Sequence, residues 1–234
     1  MIVQPFNDES FEAARTGNLP ALRARLDAGH DIDALLDLTN EDEDSVLCLG
    51  NHTVTLCFVA AANGHAHVVR FLGERGANVD TPWVDNISPI WAAADQGFAE
   101  VIDALVAHGA ALDTHDAQPP YTTPLIATIE SNFVGAARAL LNGGASPHVP
   151  NATGTPLCIA AREGRDAIVA MLIQYGAAAN QQDDHGNTPL LHASFRGRTG
   201  SVRLLMKRVP MAQFARRMAR CRAQRRSGSS TPTC

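Results

Sequence analysis

Asp183-Asp184-His185-Gly186-Asn187-Thr188-Pro189-Leu190-Leu191-His192-Ala193-Ser194-Phe195-Arg196-Gly197 is the stretch that decides the fold. Thr188 can cap a helix by accepting a free backbone N–H of the first turn. Pro189 follows where its missing N–H costs nothing and its fixed φ suits a helix start. Leu190 and Ala193 lie one helical turn apart and share a face. Gly197 can take the positive φ that ends the helix and turns the chain. The Asp-Asp-His-Gly-Asn run before Thr188 is turn chemistry. The stretch is therefore a turn, a short helix and a second turn, too small to bury much alone.

The same frame returns four times. Thr155-Pro156-Leu157 ends at Ala160-Ala161-Arg162-Glu163-Gly164, and Ser88-Pro89-Ile90 ends at Ala93-Ala94-Asp95-Gln96-Gly97. Thr55-Leu56-Cys57 ends at Ala60-Ala61-Ala62-Asn63-Gly64. Thr123-Pro124-Leu125 ends with Asn132 in the Gly position, and Asn tolerates the left-handed region. The capping positions 55, 88, 123, 155 and 188 are 33, 35, 32 and 33 residues apart. A fixed period near 33 marks a stacked repeat array. Each of the first four units also carries a second apolar stripe closed by Gly, as in Val101-Ile102-Leu105-Val106 before Gly109.

These motifs, T-P-L-x-x-A-A-x-x-G followed by V-V-x-x-L-x-x-x-G-A, resemble the ankyrin repeat family over residues 6–208. The resemblance implies an all-α solenoid of stacked helix–turn–helix units joined by β-hairpin-like loops. Repeats are expected near 6–33, 53–82, 86–115, 121–149, 153–182 and 186–208, the first being degenerate. The family usually has His after T-P-L, bonding between neighbouring repeats. Here that position holds Phe58, Trp91, Ile126, Cys158 and Leu191, which predicts apolar packing instead of the polar staple.

Three regions depart from the period. Gly17 and Gly64 are 47 residues apart, so an insertion lies over 34–52, with an acidic loop at Glu41, Asp42, Glu43 and Asp44. A plain extended loop is the first reading, because long loops cost little stability; the alternative is a binding finger, since loops that long are uncommon in compact folds and often bind. After Leu205 the period fails, and Met211, Phe214, Met218 and Cys221 recur at helical spacing among Arg216, Arg217, Arg220 and Arg222. A basic amphipathic helix is expected over 209–226 as a cap on the array, with a disordered tail over 227–234.

Charge is split along the chain. All 24 acids precede residue 185, whereas eight of the 19 basic residues lie between Lys207 and Arg226, so the overall −5 hides an acidic array and a basic tail. Lys207 is the sole lysine, which nucleotide bias explains more simply than avoidance of ubiquitin acceptors. The five cysteines form no C-x-x-C, which points to reduced thiols and an intracellular, cytoplasmic setting. The N-terminus has neither a basic start nor an apolar run, so no signal peptide is expected, and no stretch is apolar enough for a membrane span.

Catalytic signatures are missing. The chain has no G-x-x-x-x-G-K-[ST], G-x-G-x-x-G or G-x-S-x-G, and His65-x-His67 lacks a third metal ligand. No enzyme activity, cofactor or metal is expected. The family resemblance implies instead that the hairpin fingers and the residues before each helix-ending Gly form a concave protein-binding face. Its candidate residues are Trp83, Asp85, Asp95, Gln96, Tyr121, Glu130, Arg162, Glu163, Asp184, His185, Phe195 and Arg196. Trp83, Tyr121 and Phe195 would be its aromatic anchors, while Trp91 reads as core. The expected function is a monomeric, non-catalytic scaffold for another protein. The alternative is a regulator or host-directed effector that contacts nucleic acid or an acidic membrane through the Arg-rich tail.

Overall fold

The computed structural model of the protein describes residues 8–37 and 53–208. The acidic loop at Glu41–Asp44, the predicted helix over 209–226 with Arg216, Arg217, Arg220 and Arg222, and the tail over 227–234 lie outside the described residues. The chain divides into two compact units, Met1–Ala145 and Ser146–Cys234.

The first unit contains four helix pairs: α1 (Glu9–Thr16) with α2 (Leu19–Asp27), α3 (Leu56–Ala62) with α4 (Ala66–Glu74), α5 (Pro89–Asp95) with α6 (Ala99–Ala107), and α7 (Pro124–Glu130) with α8 (Val134–Gly143). First helices pack in succession, α1 on α3, α3 on α5 and α5 on α7. Second helices do the same, α4 on α6 and α6 on α8. The second unit repeats the plan with α9 (Pro156–Glu163), α10 (Asp166–Gln174), α11 (Pro189–Phe195) and α12 (Thr199–Met206), α9 packing on α11 and α10 on α12.

Local chemistry sets the start of the first helix in each pair. Thr55, Ser88, Thr123, Thr155 and Thr188 all cap, their hydroxyls accepting from the backbone N–H three residues on at 3.1–3.3 Å. Each cap is worth about 1 kcal/mol. In the degenerate first repeat Asp8 takes that role, accepting from the N–H groups of Ser10 and Phe11. Seven- and eight-residue first helices are too short to persist alone. They hold because they are buried on nearly every side: all seven residues of α3, and Ile90, Ala92, Ala93 and Ala94 of α5, are buried.

Helix ends use the left-handed residue the spacing calls for. Gly17, Gly64, Gly97, Gly164 and Gly197 all have positive φ, and Asn132 stands in with φ 60°. The residue after each turn donates its N–H back to the helix, as Phe98 does to the Ala93 carbonyl at 2.9 Å and Phe133 to Thr128 at 2.8 Å. Its side chain then lies over the glycine of the preceding repeat. A Cβ on Gly17 would meet the His65 ring at 2.6 Å, one on Gly97 the Phe133 ring at 2.7 Å, and one on Gly164 the Arg198 stem at 2.7 Å. These three glycines thus serve both backbone conformation and close approach.

The root of the insertion has structure that the sequence pattern does not reveal. Strands β1 (Leu36–Asp37) and β2 (Thr53–Val54) pair antiparallel, Leu36 opposite Val54 and Asp37 opposite Thr53. The long excursion therefore leaves and rejoins the array at one two-stranded ribbon.

Candidate functional site

In the first unit two fingers stand beside the first helices and are bonded to each other. The first contains a 3₁₀ turn, Val84–Asn86, with Asp85 at φ 58° and Asn86 at φ 60°. Left-handed backbone at two successive residues tightens the tip, and Trp83 N–H closes it on the Ile87 carbonyl at 2.8 Å. Asn86 Nδ2 donates to the His115 carbonyl at 2.7 Å, and Gln118 Nε2 donates to Asp85 Oδ1 at 2.9 Å. The Ala117 N–H donates to the Asp85 carbonyl at 2.6 Å. The second finger turns at Tyr121, which has φ 59°, and its ring meets the His115 edge at 6.4 Å.

Between the first finger and helices α3 and α5 lies a cleft of about 180 Å³, lined by Phe58, Ala62, Trp83, Ile87, Trp91, Ala92, Asp95 and Gln96. Phe58 and Trp83 rings sit 5.4 Å apart at 52°. Trp91 is held by its indole N–H, which donates to the Thr122 carbonyl at 2.8 Å. Asp95 stands at the end of α5, and Gln96 Nε2 donates to its Oδ2 at 2.9 Å.

This cleft unites three of the sequence candidates, Trp83, Asp95 and Gln96, with Phe58, which packs apolarly as expected, and Trp91, which sequence reasoning read as core. Trp83 is not an exposed anchor but half-buried against Phe58, because a large ring beside an open apolar helix face gains more by folding onto it than by projecting. Trp91 is not core but half-buried in the cleft wall. Tyr121, 48% exposed, keeps the projecting position expected of it, and Asp85 and Glu130 are exposed as well.

The expected loss of polar staples also needs correction. Trp91 occupies the usual His position, yet its indole N–H makes the bond to the next finger. In the last described repeat the residue one position on, His192, bonds within its own repeat instead, its Nε2 lying 2.7 Å from Asp183 Oδ2. Asp183 Oδ1 also accepts from the His185 and Asn187 N–H groups at 3.0 and 2.8 Å. Burial works against the Asp183 carboxylate, but the bonds from His192 and Asn187 outweigh it and hold its pKa below the ordinary value. Apolar packing does replace the staple at Ile126 and Leu191, which are fully buried.

The second unit presents its own candidates. Arg162 pairs with Glu163 at 3.0 Å, and the Arg162 carbonyl accepts from Arg198 Nε at 3.2 Å. Asp184 and His185 are exposed at the finger tip, and Phe195, 55% exposed, stands beside exposed Arg196 at the end of α11. Trp83, Tyr121 and Phe195 are thus divided between the two units.

The Cys57 thiol is pushed up to about 12, first by burial and then by Asp33 and Asp80, and burial raises Cys158 too, so neither is a ready thiolate. His65 Nε2 lies 2.8 Å from the Arg15 carbonyl and His67 Nε2 2.9 Å from the Gly17 carbonyl, which engages both rings structurally. Among the described residues no group of three potential ligands could hold a metal ion, and no helix is long and apolar enough to cross a membrane.

A family model described as "Ankyrin repeats (3 copies)" matches residues 57–151 and 125–214. The chain belongs to the ankyrin repeat family. Its fold is the all-α repeat solenoid of that family. An ankyrin repeat domain from Acinetobacter baumannii shares 28% identity with TM-score 0.71, covering 84% of this chain and 95% of that one. The human ASB11 ankyrin repeat domain, at 22% identity and TM-score 0.66, shares the fold over 86% of this chain and 83% of its own. Among curated proteins, the "Ankyrin repeat and KH domain-containing protein mask-1" of Caenorhabditis elegans is 28% identical over 171 residues, 73% of this chain and 6% of its own length. The "Sex-determining protein fem-1" of the same organism is 31% identical over 158 residues, 64% of this chain and 23% of that protein. The chain thus spans less than a quarter of either of these curated relatives. Ankyrin repeats are typically interaction domains without catalytic activity, and membership supports binding to another protein.

Proposed function

We propose that this protein is a non-catalytic scaffold that binds a partner protein along its fingers and the ends of its first helices, and that it works as a monomer. One observation carries the reading. In the first unit two fingers are hydrogen-bonded side by side, and they flank a cleft walled by aromatic rings. Aromatic side chains held in place before binding lose little entropy when a partner arrives. Asp85, Tyr121 and Glu130 extend the surface in the first unit, and Arg162, Glu163, Asp184, His185, Phe195 and Arg196 offer one in the second.

Affinity capture with chemical crosslinking and mass spectrometry tests the reading. Crosslinks to the captured partner are expected on residues 83–87, 116–122 and the ends of the first helices. Tyr121→Ala should weaken capture while leaving the melting curve unchanged. Crosslinks confined to α4, α6 and α8 would place binding on the opposite row of helices and refute the assignment. Salt separates the alternative role of the Arg-rich tail. Contact with phosphates falls steeply with salt, whereas an aromatic-centred interface is much less sensitive.

A further inference from the structure

We propose that the Phe58–Trp83–Trp91 cleft receives a single arginine side chain from the partner, its guanidinium lying against the aromatic rings and paired with the Asp95 carboxylate. The inference rests on the interaction reading above and names the chemistry the cleft selects.

Size comes first. A volume of about 180 Å³ falls below the range of roughly 300–1,000 Å³ typical of small-molecule sites. It suits one long side chain rather than a metabolite.

Charge selects the kind of side chain. The lining includes one carboxylate and no basic residue. Asp95 Oδ2 is engaged by the Gln96 amide, and its other oxygen has no partner among the described residues. From residue 53 to 145 there are nine acids against three arginines, net −6. Two of those arginines, Arg70 and Arg138, lie within second helices, and Arg75 follows the end of α4, where it pairs with Asp27 at 2.7 Å. No Arg or Lys occurs on the fingers or first helices of this stretch to compete for the cleft.

An apolar occupant fits poorly. It would strip water from Asp95 without replacing the lost hydrogen bonds, which is costly for a carboxylate. A cation removes that penalty and is attracted to the faces of Trp rings. Arginine meets both requirements together, because its planar guanidinium stacks on aromatic faces while its fork of donors pairs with a carboxylate.

The protein supplies its own reporter. Trp83 and Trp91 are the only tryptophans in the chain, and both line the cleft. Intrinsic tryptophan fluorescence of the full chain can therefore be titrated with acetyl-Ser-Gly-Ser-Arg-Ser-Gly-Ser-amide and with matched peptides carrying citrulline or leucine instead of arginine. Citrulline keeps the shape and removes the charge. The expected result is a saturable change in the low millimolar range with the arginine peptide and binding weaker by about tenfold with the other two. Asp95→Asn, at a half-buried residue whose one side-chain partner among the described residues is Gln96, should lower affinity for the arginine peptide to the citrulline level while the melting temperature stays unchanged.

Equal binding of all three peptides, tighter binding of leucine, or no fluorescence change with arginine would overturn the proposal. So would an Asp95→Asn chain that folds normally and binds the arginine peptide as well as the parent. These outcomes are separable from failure of the interaction reading. A captured partner that crosslinks to the fingers, responds to Tyr121→Ala and ignores Asp95→Asn would leave the scaffold intact and remove the arginine from the cleft.

Discussion

Gly97→Ala isolates the contact by which one repeat sits on the next. Gly97 has φ 76°, and an added Cβ would lie 2.7–2.9 Å from three atoms of the Phe133 ring. Two costs follow. A Cβ in the left-handed region costs about 1–2 kcal/mol. The Phe133 ring is 36% exposed and can swing toward solvent, so displacing it adds about 1 kcal/mol, the low end of an overpacking cost. The expected loss is therefore about 2–3 kcal/mol, and for a chain of this size each kcal/mol lowers the melting temperature by roughly 2–4 °C. Gly109 is the matched control, because it has φ 81° and nothing lies within 4 Å of the position its Cβ would take. Gly109→Ala should show the backbone cost alone, about 1–2 kcal/mol. Urea unfolding followed by far-ultraviolet circular dichroism measures both. Combining Gly97→Ala with Phe133→Ala should cost less than the two single changes added together, since the second removes the ring that the first strikes. If Gly97→Ala and Gly109→Ala fall within about 0.5 kcal/mol of each other and the pair is additive, the inter-repeat contact does not carry the energy assigned to it.

The other expectations are simpler to check. The folded Asp183 carboxylate has a lowered pKa, so its stabilisation is present above the ordinary value of 3.8 and is lost as pH falls through the lower folded value. Asp183→Asn should therefore flatten the acid side of the stability profile below about pH 4, and an unchanged profile in urea titrations would show that the His192 bond is inert. Cys57 and Cys158 should resist alkylation at pH 8 in the native protein and react once it is unfolded, as peptide mapping by mass spectrometry will show. Trp83→Ala should cost about 2 kcal/mol through loss of the Phe58 contact, less than the 3–5 kcal/mol of a fully buried Trp, whereas Tyr121→Ala should stay within about 0.5 kcal/mol. Equal losses in thermal melts would contradict their different burial.

Sequence alone determined the repeat and its helix boundaries, because the determinants are local. A Thr or Ser hydroxyl reaches an N–H three residues away, Pro fits the next position, and a left-handed Gly or Asn ends the turn whatever lies beyond it. The period of about 33 then fixes the family, since a unit that cannot bury its own face must stack on another. The candidate site was only partly legible for the opposite reason. Asp95 and Gln96 could be placed by register, and Tyr121 projects as its finger position implies. Whether Trp83 projects, whether Trp91 is core, and which residue replaces the family's His all depend on neighbours 25 or more residues away, or on the path of a finger. Phe58 draws Trp83 inward, the Thr122 carbonyl fixes Trp91, and the tight Asp183–Asn187 turn brings a carboxylate to His192. The β1–β2 ribbon was hidden in the same way, since two residues pairing with two others across a long insertion leave no periodicity to read. Tertiary structure decided these points because a side chain's exposure is set by the surface that packs against it, and in a stacked array that surface belongs to the adjacent repeat.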